Sequence, residues 1–236
     1  MKLIEFKKVV KTFKQGTKAI NAVGGISFTI DKGDFVAIIG PSGSGKSTIL
    51  QLLGGLDRPT EGEIEIEGKN IAKMSEGRLT RLRRNSIGFI FQNFNLIPTL
   101  TALQNVEAGM ANRSTVAAKR ARSLLHQLGL GERMNHLPSL LSGGEQQRVA
   151  IARSLVHEPK ILLADEPTGN LDSRTGQEIL RVMAHLNEKM GQTIIVVTHS
   201  DYISNYATRI LHVRDGKILS DGALKIRNKD VLEKAV

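Results

Sequence analysis

The sequence predicts an α/β fold: a parallel sheet with helices, preceded by an antiparallel β-subdomain and interrupted by a helical insert at about 93–158. Three observations carry this. The short apolar runs at Phe35–Ile39, 161–164 and 194–197 read as strands buried on both faces, as in a parallel sheet. The region from Leu100 to Glu158 turns to a helical pattern. The first apolar run passes directly into a glycine-rich loop and then a helix.

In chain order, residues 2–10 and 25–30 read as strands, the second closed by Asp31-Lys32-Gly33, with Phe13 in a Gly- and Lys-rich loop between them. Residues 62–68 alternate strictly and mark a half-exposed strand. Residues 77–84 are basic, with Arg78, Arg81, Arg83 and Arg84 close together; they read as a solvated helix face or as a face toward lipid or a partner. Residues 87–91 form another strand, ending at Gln92. In the helical insert, Ala117, Ala121, Leu124, Leu125 and Leu128 share one face and Gly129 supplies a stop. A helix from about Arg174 to Met190 takes Asp172 or Ser173 as N-cap and Gly191 as its C-terminal glycine. Asp215-Gly216 turns a hairpin between residues 209–213 and 217–219. A short amphipathic helix is expected from Ala223 onward. The expected division is 1–92 with 159–222 as the core and β-subdomain, 93–158 as the helical subdomain, and 223–236 as a tail.

The 236 residues suffice for one large domain, and 40% hydrophobic content supports a core. The chain has no cysteine, which excludes a disulfide framework and thiolate metal sites. No apolar run approaches the length of a membrane span, and the first ten residues lack a signal-peptide h-region. The protein is therefore expected to be soluble or to sit beside a membrane as a subunit. The net charge of +10 is open to three readings: a solvated surface, proximity to anionic lipid, or nucleic acid. An aromatic content of 4% without tryptophan argues against single-strand binding by base stacking.

Gly40-Pro41-Ser42-Gly43-Ser44-Gly45-Lys46-Ser47-Thr48 fits G-x-x-x-x-G-K-[ST]. Glycines at 40, 43 and 45 let successive N–H groups point at an anion, and the following helix adds the positive end of its dipole. Lys46 is placed to reach nucleotide phosphates and Ser47 to ligate Mg²⁺, so the fold is that of a P-loop NTPase. Asp165 and Glu166 end the apolar strand at 161–164. Asp165 suits Mg²⁺; Glu166, turned away by strand alternation, suits a general base; a helix-capping acidic pair is the plainer alternative. His199 stands at the carboxyl end of the next strand, where open α/β sheets bind ligands, and can sense a γ-phosphate or serve structure alone. Gln92, at a strand end, can touch Mg²⁺ or the attacking water, or be an ordinary strand-end residue. Leu141-Ser142-Gly143-Gly144-Glu145-Gln146 precedes a long helix and reads as a second anion site or as a simple Ser142 cap. It lies far along the chain from the P-loop, and two chains related by a two-fold axis can bring it to a partner's ATP.

Together these motifs, in this order, resemble the ATP-binding-cassette (ABC) transporter ATPases over nearly the whole chain. The resemblance implies a RecA-like core and the following roles. Phe13, where many members have tyrosine, stacks on adenine. Lys46, Ser47 and Thr48 bind phosphate and Mg²⁺, and Gln92 couples to a membrane partner. Ser142, Gly143, Gly144 and Glu145 grip the opposite subunit's ATP, with Glu145 standing where glutamine is commonest. Asp165 handles Mg²⁺, Glu166 is the base and His199 the switch. Gly169-Asn170-Leu171-Asp172 resembles the D-loop that lines the dimer seam. Leu53–Thr60, Leu82-Arg83-Arg84 with Ile87-Gly88-Phe89, and Phe91–Pro98 with Leu100–Leu103 further resemble the subfamily of lipoprotein-releasing, macrolide-export and bacitracin-resistance ATPases. That subfamily implies a homodimer around two Mg·ATP, peripheral on the cytoplasmic side of the inner membrane. It also implies a permease-like partner with few spans and a large extracytoplasmic domain, and no nucleic acid. The alternative reading is a soluble nucleic-acid-associated ATPase of the same family.

Overall fold

Every residue of Phe35–Ile39 is buried, and the fold is arranged to cover both of its faces. The structure is a computed structural model; it describes residues 1–16, 18–110 and 115–224. In chain order the strands are β1 (Lys2–Gln15), β2 (Lys18–Asp31), β3 (Phe35–Ile39), β4 (Glu61–Ile66), β5 (Lys69–Asn70), β6 (Ile87–Ile90), β7 (Ile161–Asp165), β8 (Thr193–Thr198), β9 (Arg209–Arg214) and β10 (Lys217–Ala223). The helices are α1 (Lys46–Leu53), α2 (Glu76–Ser86), α3 (Ala102–Ala108), α4 (Thr115–Gln127), α5 (Gly143–Leu155) and α6 (Ser173–Met190).

A six-stranded sheet, ordered β10-β9-β3-β8-β7-β6, is parallel except for β10. Its side chains alternate between two cores, as the pleat requires. Phe35, Ala37, Ile39, Ala164, Ile194 and Val196 face a core shared with α3 to α6. Val36, Ile38, Leu163, Ile195 and Val197 face a second core shared with α1 and with the antiparallel sheet β2-β1-β4-β5. The parallel sheet is thus a middle layer, which explains why β3 and β8 read as unbroken apolar runs.

The hairpin of β1 and β2 is longer than the sequence reading. Phe13 lies on β1, paired with Ile20, and not in a loop. Cross-strand pairing carries the strands on past the Gly-rich stretch through register shifts after Phe6, Val9 and Lys11. Other elements follow their local signals. The α4 face of Ala117, Ala121, Leu124 and Leu125 is buried, and Gly129 turns the chain at φ +72°. Asp172 caps α6 by accepting from the N–H groups of Arg174 and Thr175, and Gly191 ends it at φ +63°. The hairpin at Asp215-Gly216 continues as β10 to Ala223; the helix expected from Ala223 falls largely on residues 225–236, outside the described residues.

α5 starts on a reciprocal cap. The Ser142 N–H donates to Glu145 Oε2 at 2.8 Å, and Glu145 N–H donates to Ser142 Oγ at 3.3 Å. Arg133 Nε adds a bond to Glu145 Oε1 at 3.1 Å. The Ser142 N–H is the main reason the Glu145 carboxyl is held below the usual carboxylate range; partial burial works against it, and Arg133 adds to it. A depressed acid stabilises the fold above its unfolded value, about 4.3, and loses that contribution as pH falls through the folded value. Glu145→Gln keeps the cap geometry and removes the charge. We expect the parent to be more stable than this variant by no more than about 1 kcal/mol at pH 7. Urea denaturation at pH 7 and at a pH well below the ordinary carboxylate range should show the gap closing as pH falls. A gap of the same size at both pH values contradicts the assignment.

Candidate functional site

The P-loop leaves the end of β3 at Gly40 and enters α1 at Lys46. Gly43 and Gly45 take φ of +78° and +98°. A Cβ at Gly45 would lie 2.2 Å from the Ala22 carbonyl of β2, and one at Gly40 would lie 2.0 Å from the Val213 carbonyl of β9. The loop is therefore backed by both sheets. The β9–β10 turn pins it further: Gly216 N–H donates to Ser44 O at 3.0 Å and Gly216 O accepts from Gly24 N–H at 2.8 Å. The first turn of α1 directs its unsatisfied amides into the loop and carries no acidic side chain. Lys46 is buried, its Nζ donating to the carbonyls of Gly40 and Pro41 at 2.8 and 2.9 Å. The result is a concave array of donors with a charged tip, suited to an oligophosphate.

Across the sheet edge, Ser47 Oγ donates to Asp165 Oδ1 at 3.3 Å. Burial pushes the Asp165 carboxyl above its ordinary value; the Ser47 bond opposes this, Glu166 adds to it, and Lys46 pulls the other way. A half-buried carboxylate beside one hydroxyl offers hard oxygen ligands, and a divalent cation would relieve its desolvation. Among the described residues no cluster of three or more His, Asp or Glu is arranged to hold a metal.

Glu166 follows in a left-handed conformation, φ +45°. This turn, rather than strand alternation, separates its direction from that of Asp165. Its N–H donates to Val197 O at 2.9 Å, which ties it to β8. Its Oε2 accepts from Thr198 Oγ1 at 2.9 Å, and its Oε1 lies 2.9 Å from His199 Nδ1. Glu166 and His199, read separately from the sequence, form one unit, and the buried Thr198 hydroxyl completes it. Beside them a cavity of about 200 Å³ opens between Glu166, Asp172, His199 and Tyr202.

Gln92 is held by the loop at Asn170. Its Nε2 donates to Asn170 Oδ1 at 3.2 Å, and Asn170 Nδ2 donates to Gln92 O and to Asn93 Oδ1. The amide lies over Gly169, where a Cβ would be 2.7 Å from Nε2. The pairing of Ile90 with Ala164 puts Gln92 one strand end away from Asp165, and it makes no hydrogen bond to Asp165 or Ser47 among the described residues. Two residues that sequence reading missed hold this loop. Asn105, fully buried, bonds Ile97 through both its N–H and its carbonyl, and also reaches the Leu100 and Thr101 carbonyls. Arg153 donates to the carbonyls of Phe94 and Asn95, both at positive φ. A lone Asn inside the apolar pattern of α3 was the available signal for the first.

Ser142, Gly143 and Gly144 do not bond the P-loop among the described residues. A Cβ at Gly144 would meet Thr175 Cγ2 at 2.5 Å, and one at Gly143 would meet Leu171 Cδ2 at 3.0 Å, so α5 begins pressed on the segment 171–175. In the single chain, Glu145 and Asp172 are engaged by helix caps. Phe13 is partly exposed on the same hairpin whose Ala22 backs Gly45, and Lys11 Nζ lies 4.8 Å from its ring centre.

Comparisons with known proteins show the family and the fold. The family model described as ABC transporter matches residues 23–169. An uncharacterized ABC transporter ATP-binding protein of Thermotoga maritima is 50% identical over 220 residues, covering 92% of this chain and 94% of its own. A macrolide export ATP-binding/permease protein MacB of Bdellovibrio bacteriovorus is 47% identical; the match covers 94% of this chain and 34% of that relative, so this chain spans about a third of it. Among solved structures, the ATP-binding cassette MJ0796 of Methanocaldococcus jannaschii, as a dimer in a post-hydrolysis state bound to ADP and Pi, superposes with a TM-score of 0.86. That match has 44% identity and covers 95% of this chain and 100% of that one. No helix among the described residues is long and apolar enough to cross a membrane. The chain belongs to the ABC transporter family, as one of its ATPase cassettes.

Proposed function

We propose that this cassette binds Mg·ATP between two copies of itself, hydrolyses it, and uses the closing and opening of the pair to drive a membrane permease subunit. The observation that carries the chemistry is the convergence of Ser47–Asp165 and Thr198–Glu166–His199 at the strand ends facing the P-loop. Lys46 and the amides of residues 43–48 hold the phosphates, and Phe13 offers its ring to the base. Ser47 and Asp165 are the ligands for Mg²⁺, with Gln92 joining them only if it leaves Asn170. When bound, Mg²⁺ neutralises charge on the phosphates and orients them. Glu166 accepts a proton from water; Thr198 and His199 fix the carboxylate, and His199 Nε2 remains for the phosphate.

Ser142, Gly143 and Gly144 serve the partner's ATP. Two points support this: they carry a helix N-terminus without bonding their own P-loop, and the MJ0796 cassette is dimeric. The D-loop, residues 169–172, then lines the seam between copies. The permease reading rests on relatives named as macrolide export ATP-binding/permease proteins, whose further length exceeds this chain. We place the cassette on the cytoplasmic side of the inner membrane, with the permease docked near residues 92–103. Export, lipoprotein release and force transmission are the kinds of work such a pair performs.

Three variants test this. Lys46→Ala should weaken ATP binding by at least about 100-fold in a fluorescent-nucleotide titration; unchanged binding contradicts the phosphate role. Glu166→Gln should bind ATP like the parent, lose at least about 100-fold in hydrolysis, and accumulate as an ATP-bound dimer in light scattering. Hydrolysis at the parent rate would remove Glu166 as base. Burial raises the Asp165 value, so its ionised form opposes folding at neutral pH, and that penalty grows as pH rises through the folded value. Asp165→Asn should therefore abolish Mg²⁺-dependent hydrolysis while leaving the nucleotide-free Tm unchanged or raised by about 1–3 °C. A fall of several degrees would mean that Asp165 serves the fold.

A further inference from the structure

Gln147 lies one turn into α5 and is completely buried. Its Nε2 donates to the Pro167 carbonyl at 2.7 Å, a long-range bond from the helix that begins at Ser142 to the residue after Glu166. Its Oε1 is buried without a hydrogen-bond partner among the described residues. An apolar residue of the same size would fill the space and remove that unpaired oxygen, but it would leave the Pro167 carbonyl without its donor. Packing therefore does not explain an amide here. The turn it holds does offer a reason.

Glu166 sits at positive φ, which a non-glycine residue adopts only when its surroundings impose it. Three contacts impose it. Val197 O fixes the Glu166 N–H, Thr198 and His199 fix the carboxylate, and Gln147 fixes the next carbonyl, at Pro167. The turn closes with Gly169 N–H donating to Glu166 O at 3.0 Å. The first two contacts come from β8 and from His199 just beyond its end, within the same nucleotide site. The third comes from α5, whose first turn carries Ser142–Gly144.

We propose that Gln147 is a positioning residue that links the two ATP sites of the pair: it ties the turn aiming Glu166 in one site to the helix that meets ATP in the other. A shift of α5 on engaging the partner's nucleotide is carried by this buried bond to the turn beside the base. This rests on the two-chain reading given above. The bond leaves Lys46, Ser47 and the P-loop amides untouched, so its loss should act on turnover rather than on ATP binding.

Gln147→Leu and Gln147→Met both preserve volume and remove the donor. Steady-state ATP hydrolysis should show kcat reduced at least tenfold, KM for ATP within about twofold of the parent, and a Hill coefficient for ATP falling toward 1. Introduced into the Glu166→Gln background, either change should still permit the ATP-bound dimer in light scattering. The inference is overturned if a variant with the parent's Tm keeps kcat and the Hill coefficient within twofold of the parent. It is also overturned if kcat falls only in proportion to folded protein. Failure of Glu166→Gln alone to form an ATP-bound dimer is a separate result; it removes the two-chain reading itself.

Discussion

The backbone of residues 40–45 passes so close to Val213 and Ala22 that glycine is required at both ends of the loop. Gly216 is held equally close, a Cβ there lying 2.8 Å from the Ala22 carbonyl. The phosphate-binding loop is thus the meeting point of the antiparallel sheet, the parallel sheet and the last hairpin. Its shape is set by contacts from three directions before any ligand arrives. Preorganised amides of this kind need no reorganisation on binding, which is where a phosphate site derives its affinity. The buried layer of β3 and β8 exists to hold this edge still.

The second constraint is charge. Asp165 and Glu166 are neighbours in sequence and would repel if both faced one point. The left-handed turn at Glu166 resolves this by sending the carboxylates to different partners: Asp165 to Ser47, and Glu166 to Thr198 and His199. The conformation costs of order 1–3 kcal/mol and is maintained by bonds from β8 and α5. A site for a cation and a site for a proton are thereby separated within two residues. The same logic explains Gln92, whose amide rests on Asn170 and Gly169, leaving it poised beside the site and linked to the loop that Asn105 and Arg153 hold.

Much of this was legible in the sequence because the signals are local. The P-loop spacing, the apolar strands, the Asp172 cap and the Gly129 and Gly191 stops each depend on a few consecutive residues, and the structure places them as read. What was not legible depends on distant contacts. The length of the first hairpin follows from cross-strand pairing, which carried Phe13 onto β1. The aim of Glu166 follows from a backbone turn that alternation does not predict. The work of Asn105, Arg153 and Gln147 is invisible locally, because each reads as an ordinary helical polar residue until its partners, 4 to 59 positions away, are brought to it. Glu145 shows the converse: its departure from the commoner glutamine is accounted for by a cap that either side chain can make.

The central claim is that one ATP is held by the P-loop of one chain and by Ser142–Gly144 of another. The absence of cysteine makes a direct test clean. Chains carrying Ser42→Cys and chains carrying Ser142→Cys, both in the Glu166→Gln background, would be mixed and treated with a short thiol-specific crosslinker. The account predicts a covalent dimer containing one chain of each kind, formed with Mg·ATP and not with ADP. Crosslinking that is absent in the mixture, or indifferent to the nucleotide, would contradict the shared site.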